Sequence, residues 1–87
     1  MNCSERLGEY YDSRNEDILE EIFLHCYSKM FAQAIKKTRN IQLSQQILGR
    51  TRDVWKLNII EGRAGRLQTC CGYANDIFES ILILETI

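Results

Sequence analysis

The absence of proline is the feature that most constrains the fold of this 87-residue chain. Proline breaks helices because it lacks a backbone N–H and fixes φ, and here no residue interrupts the backbone in that way. Long stretches also lack the clusters of Asn, Gly and Pro that mark turns between strands. We therefore predict an all-α fold in one domain over residues 1–87, because a chain of this length has room for one core.

Helix start and stop signals predict a short N-terminal helix followed by two long antiparallel helices. The short helix is expected over residues 3–10. Ser13 to Glu16 has the pattern of a capping box, so the first long helix should begin there and end at the turn Thr38-Arg39-Asn40. Its apolar residues recur every three or four positions and predict a core helix: Ile18, Ile22, Phe23, Cys26, Tyr27, Met30, Phe31, Ala34 and Ile35.

The second long helix is expected to be capped by Asn40 or Ser44 and to continue through Gly62 and Gly65. Residues upstream do not share the phase of the later apolar series, so we expect a kink or break between Gly49 and Gly65. The series itself predicts a seam for antiparallel or oligomeric packing: Leu57, Ile60, Ala64, Leu67, Cys71, Ala74, Phe78 and Ile81. Because a core of this size is marginal, we expect a homo-oligomeric helical bundle.

The four cysteines could in principle form two disulfides. The N-terminus has no apolar run behind a basic patch, so we expect no secretory signal, a cytoplasmic location and reduced thiols. The spacing of Cys and His residues matches no metal motif, and we expect neither a metal nor a cofactor. No continuous apolar window is long enough for a membrane span, so no membrane partner is expected either.

Charge is distributed unevenly along the chain. The net charge is −4 over residues 1–35, +6 over residues 36–66 and −3 over residues 67–87. The basic middle indicates either an anionic partner or ion pairs with the acidic first long helix. Duplex nucleic acid is disfavoured as the partner, because the isoelectric point of about 5.8 does not fit a strongly basic surface.

The most unusual segment follows Ile60. Residues with little bulk recur there at helical spacing: Gly62, Gly65, Thr69 and Gly72. Arg63 and Arg66 flank this stripe, and their guanidinium groups would suit phosphate while the bare stripe lets a ligand approach the backbone. Alternatively, the stripe lets two helices cross closely at an oligomer interface.

Three further positions are candidates for ligand contact. Tyr10 and Tyr11 could stack on a base or insert into a neighbouring subunit, or they could cover the start of the first long helix as a hydrophobic staple. Lys29 could contact phosphate or simply be solvated. His25, the only histidine, is expected to be hydrogen-bonded near the core. No pattern of catalytic residues stands out, so we do not expect an enzyme.

This helix order with an Arg/Gly stripe resembles the phage anti-CBASS family of cyclic-oligonucleotide sponges. The residues that carry the resemblance are Tyr10 or Tyr11, Lys29, and Arg66 six residues before Gly72. The resemblance implies a helical homo-oligomer in the host cytoplasm that sequesters cyclic di- or trinucleotides without cleaving them and so silences an anti-phage defence. The alternative is a small adaptor that engages a partner protein through its apolar faces.

Overall fold

The computed structural model describes residues 2–63 and 70–87, and this part of the chain contains four helices and no strand. The prediction of an all-α fold is confirmed. The helices are α1 (Cys3–Ser13), α2 (Glu16–Thr38), α3 (Ile41–Ile60) and α4 (Cys70–Thr86). Helix α2 contacts each of the other three, so it forms the centre of the fold.

Asparagine is the N-cap residue of each of the first three helices. The side-chain oxygen of Asn15 accepts a hydrogen bond from the backbone N–H of Asp17 at 3.0 Å, which satisfies a donor that the first turn of α2 leaves free. The predicted capping box at Ser13 to Glu16 is therefore wrong. Ser13 belongs to the last turn of α1, where its hydroxyl donates to the carbonyl oxygen of Glu9 at 2.8 Å.

The predicted turn between α2 and α3 is confirmed. Arg39 has a left-handed conformation with φ 52°, and its N–H donates to the carbonyl oxygen of Ile35 at 2.8 Å. Asn40 then caps α3 by accepting from the backbone N–H of Leu43 at 3.0 Å. The hydroxyls of Thr38 and Ser44 are 2.9 Å apart, which ties the end of α2 to the first turn of α3.

The prediction that one helix continues through Gly62 is wrong. Helix α3 ends at Ile60 in a Schellman motif, in which Arg63 N–H donates to Asn58 at 2.8 Å and Gly62 N–H donates to Ile59 at 3.1 Å. Gly62 has φ 75°, a conformation that glycine adopts without the steric cost of a Cβ. The break falls inside the interval predicted for a kink or break, while Gly65 lies outside the described residues.

Two long helices therefore replace the single kinked one that the sequence predicted. Asn58 Nδ2 donates to the Tyr73 hydroxyl at 3.0 Å, and Arg50, which lies earlier on α3, pairs with Glu85, which lies later on α4, so α3 and α4 are antiparallel. Helices α2 and α3 are also antiparallel, because Lys56 near the end of α3 pairs with Glu20 near the start of α2. It follows that α2 and α4 run parallel to each other.

The core lies between these helices. Trp55 is fully buried at its centre, with the Phe23 ring centroid 5.6 Å away. Helix α1 packs against the first half of α2, where Arg6 Nε donates to Glu21 at 2.6 Å. The other fully buried large side chains include Tyr10, Leu19, Ile22, Ile47, Leu48, Ile59 and Phe78.

The expectation of reduced thiols is contradicted. Cys26 of α2 and Cys71 of α4 form a disulfide across a Cα–Cα distance of 5.4 Å, within the range that a disulfide spans. Cys3 is also disulfide-bonded. Cys26 and Cys71 meet because α2 and α4 pack in parallel, an arrangement that the predicted continuous helix would not allow. Within the described residues, none of the helices has both the length and the apolarity to cross a membrane.

Candidate functional site

Two recesses of the surface lie between α2 and α4, and we call them together the α2–α4 groove. At its disulfide end, a cavity of about 310 Å³ is lined by His25, Cys26, Lys29, Met30, Gln33, Cys71, Gly72 and Asn75. At its lysine end, a cavity of about 590 Å³ is lined by Gln33, Lys36, Lys37, Glu79, Leu82 and Ile83. Gln33 lines both cavities, so the groove is continuous.

Helical periodicity explains why one wall of the groove is polar. His25, Lys29 and Gln33 are four residues apart and therefore lie on one face of α2. Lys36 and Lys37 continue this face three and four residues after Gln33. With a rise of 1.5 Å per residue, this polar face extends for about 18 Å. The adjacent face of the same helix carries buried residues, so the polar wall borders the core directly: Cys26, Met30 and Ala34.

The lysines of the groove are not neutralised by nearby acids. Lys29, Lys36 and Lys37 form neither an ion pair nor a side-chain hydrogen bond with any residue that the structure describes. On the α4 wall the carboxylate is that of Glu79, which accepts a hydrogen bond from Asn75 Nδ2 at 3.2 Å. The groove therefore presents more positive than negative charge.

Other cations of the basic middle do pair with acids. The ammonium of Lys56 lies 2.8 Å from Glu20 and 3.8 Å from Glu16, and its hydrogen bond with Glu20 raises the pKa of Lys56. This pair confirms for Lys56 the interpretation that basic residues neutralise the acidic first long helix. Arg50 instead pairs with Glu85 of α4. The interpretation as ion pairs with the acidic first long helix therefore holds for Lys56, whereas Arg50 pairs with a different helix.

The tyrosines lie at the turn between α1 and α2, away from the groove. Tyr10 is 2% exposed and belongs to the core, whereas Tyr11 is 37% exposed. The guanidinium carbon of Arg14 lies 5.7 Å from the centroid of the Tyr10 ring and 5.6 Å from that of Tyr11. This cluster lies at the end of α1, and about 20 Å of helix separates the start of α2 from Lys29.

Among the described residues of the unusual segment, Gly62 and Arg63 lie away from Lys29, whereas Gly72 lines the same cavity as Lys29. Gly62 forms the turn after α3, and the exposed Arg63 pairs with Glu61 at 2.8 Å. Because the end of α3 lies beside the start of α2, these residues lie at the opposite end of the bundle from Lys36. Gly65, Arg66 and Thr69 lie outside the described residues.

Sequence reasoning missed several residues of the groove. His25 was expected near the core, but it is exposed and lines the disulfide end. The spacing of His25, Lys29 and Gln33 could have identified this wall from the sequence. Asn75 could not have been found in this way, because its place opposite Lys29 depends on the parallel packing of α2 and α4.

The groove offers ammonium, imidazole and amide groups, which donate hydrogen bonds to anionic and polar ligands. In the described part of the chain, His, Cys, Asp and Glu side chains form no cluster able to hold a metal ion. The fold and groove thus define a small all-α protein with a cationic recess. Comparison of the chain with known protein families, with characterised proteins and with solved structures finds no match.

Proposed function

We propose that the chain is a non-enzymatic binding protein whose α2–α4 groove takes a cyclic di- or trinucleotide, which it sequesters to silence a bacterial anti-phage defence. The observation that carries the proposal is a set of three lysines, Lys29, Lys36 and Lys37, that lack acidic partners within the described residues and line one groove. Such a groove attracts a ligand with several negative charges.

The spacing of the lysines favours a ligand with separated phosphates. Lys29 precedes Lys36 and Lys37 by seven and eight residues, which corresponds to about 11 Å along α2. A single phosphate contacts one end of this span, whereas the phosphodiesters of a cyclic oligonucleotide reach both. A cyclic ligand also loses less conformational freedom on binding than its linear counterpart, so it binds more tightly for the same contacts.

The amide groups of the groove support recognition of bases. Gln33 lies where the two cavities meet, and Asn75 lies across from Lys29. Side-chain amides donate and accept hydrogen bonds, and they pair with the edges of bases in nucleic-acid complexes. The apolar residues Leu82 and Ile83 at the lysine end give a base a surface on which to pack.

The proposal includes self-association. Val54 and Leu57 lie three residues apart on α3 and are 41% and 50% exposed, so a single copy leaves this apolar face in contact with solvent. Burial of such a face between copies adds the apolar area that a core of this size lacks. Sedimentation of the purified chain at several concentrations measures the association directly.

Calorimetric titration with cyclic and linear dinucleotides tests the proposal. We expect binding of the cyclic form, and we expect Lys36→Glu combined with Lys37→Glu to weaken it by about tenfold or more, because charged hydrogen bonds are lost and repulsion replaces them. Arg52→Glu combined with Arg63→Glu changes the same amount of charge on exposed residues outside the groove and should leave affinity nearly unchanged. Equal loss in both double variants, or no binding to any cyclic nucleotide, would contradict the proposal.

A protein adaptor is the second candidate function. The end of α4 carries Ile83, Leu84 and the following Ile87, all strongly exposed, and Leu84 alone is 74% exposed. An apolar helix face of this kind fits a groove on a partner protein. Under this alternative, Leu84→Glu abolishes capture of a stoichiometric partner while the double substitution of Lys36 and Lys37 has no effect.

A further inference from the structure

The disulfide between α2 and α4 is accessible from the groove. Both of its cysteines line the cavity at the disulfide end, together with Lys29 and His25. The two cysteines are not equivalent, because Cys71 is an exposed residue whereas Cys26 is 5% exposed. Exposed disulfides are generally the labile ones, and the accessible sulfur is the one that an incoming thiolate reaches first.

The charge of the cavity favours exchange at this bond. Lys29 follows Cys26 by three residues on α2, lines the same cavity and has no acidic partner among the described residues. A nearby ammonium stabilises a thiolate, and a stabilised thiolate is a better leaving group. The same ammonium attracts a small thiol that carries carboxylates.

We propose that Cys71 is a reversible S-thiolation site for a small anionic thiol. The incoming thiolate attacks Cys71 Sγ, a new S–S bond forms between them, and the bond from Cys71 to Cys26 breaks. The electron pair of the broken bond leaves on Cys26 Sγ as a thiolate beside Lys29, and this thiolate can later take a proton from water. No further oxidant is needed, because one disulfide is exchanged for another.

This inference stands apart from the ligand of the proposed function, since it requires the disulfide, Lys29 and access to the cavity, and no nucleotide. The thiol bound at Cys71 would fill the disulfide end of the groove. Reaction with a thiol and titration with a cyclic nucleotide therefore fail or succeed separately. If both succeed, thiolation should block the nucleotide.

The first test treats the oxidised chain with glutathione, followed by an acid quench, alkylation and peptide mass spectrometry. We expect one glutathione per chain on Cys71, rather than on neighbouring Cys70, and the alkyl group on Cys26. In the native chain, the Cys26 thiolate can attack the mixed disulfide on Cys71 and release the glutathione again. The Cys26→Ser variant is therefore treated in parallel with oxidised glutathione. This reagent should thiolate Cys71, and the glutathione should stay bound because Cys26 is absent. An alkyl group on Cys71 or Cys3, or no adduct in either experiment, would overturn the proposal.

The second test measures whether Lys29 acts through its charge. Rates with glutathione and with the cationic thiol cysteamine are compared at equal thiolate concentration in the Lys29→Glu variant and in the control Arg52→Glu. We expect Lys29→Glu to lower the ratio of the glutathione rate to the cysteamine rate by about fivefold, and added salt to reduce this difference. A structural disturbance would slow both thiols alike, and an unchanged ratio would refute the role of Lys29.

Discussion

Removal of the Cys26–Cys71 disulfide should destabilise the fold strongly. The bond joins residues 45 positions apart. A crosslink of that span lowers the entropy of the unfolded chain by an amount worth about 4 kcal/mol at 25 °C. The disulfide of Cys3 also constrains the unfolded chain, so 4 kcal/mol is an upper value. We expect Cys26→Ala with Cys71→Ser to lose most of it, because Ala fits the buried position and Ser suits the exposed one.

Urea denaturation followed by far-UV circular dichroism measures this loss. The variant should unfold at a lower midpoint than the oxidised chain, with a steeper dependence of the free energy of unfolding on urea. The steeper slope is expected because an unfolded chain with one fewer crosslink exposes more surface. The matched control is Cys71→Ser with Cys26→Ser, which should behave alike apart from the polar group at the buried position. A loss below about 1 kcal/mol with an unchanged slope would refute the entropic reasoning.

Two further predictions concern backbone conformation and pH. Gly49 lies inside α3 with open space where a Cβ would be, so Gly49→Ala should stabilise the fold by about 1 kcal/mol, whereas Gly62→Ala should destabilise it by about 1 kcal/mol because of its left-handed φ. Thermal unfolding of the two variants checks the opposite signs, and the same sign in both would contradict the assignment of the turn. The pKa of Lys56 is raised in the folded chain by its hydrogen bond with Glu20, so the stability it contributes is complete below about pH 10.5, the ordinary pKa of a lysine. That contribution should be lost as the pH rises through the higher folded pKa. Urea titrations at several alkaline pH values should show a steeper fall for the native chain than for Lys56→Met, and parallel curves would count against the pair.

Local rules were sufficient for the turn between α2 and α3. The end of α2 near Thr38 follows from local signals, which also left Asn40 and Ser44 as possible caps of α3, and the structure uses Asn40. The start of α2 was placed at the wrong residue for a local reason as well. Asn15 is a cap as good as Ser13 and lies next to Glu16, so two local signals competed and the sequence did not separate them.

The break after α3 was not predicted at the right residue, because the apolar series and the local signal at Gly62 indicated different structures. The apolar series across Gly62 predicted one continuous helix, but Leu57 and Ile60 are exposed in the structure whereas Ala74 and Phe78 are buried, so these residues do not form one buried seam. Ala64 and Leu67 of the series lie outside the described residues. A glycine followed by a residue able to complete a Schellman motif favours the break. The disulfide was missed for the same reason, since the parallel packing that brings Cys71 to Cys26 exists only after the chain has reversed.

The candidate groove depends on that reversal. Lys29 was identified from the sequence as an isolated cation, and on a solvated helix face it would have little effect. Once α3 turns back at Gly62, α4 lies parallel to α2 and supplies Asn75, Glu79 and the apolar residues opposite the lysines. The disulfide then holds α4 against α2 at one end of the groove. A variant that disturbs the turn at Gly62 should therefore weaken ligand binding more than its loss of stability alone explains, because it alters the distance between α2 and α4.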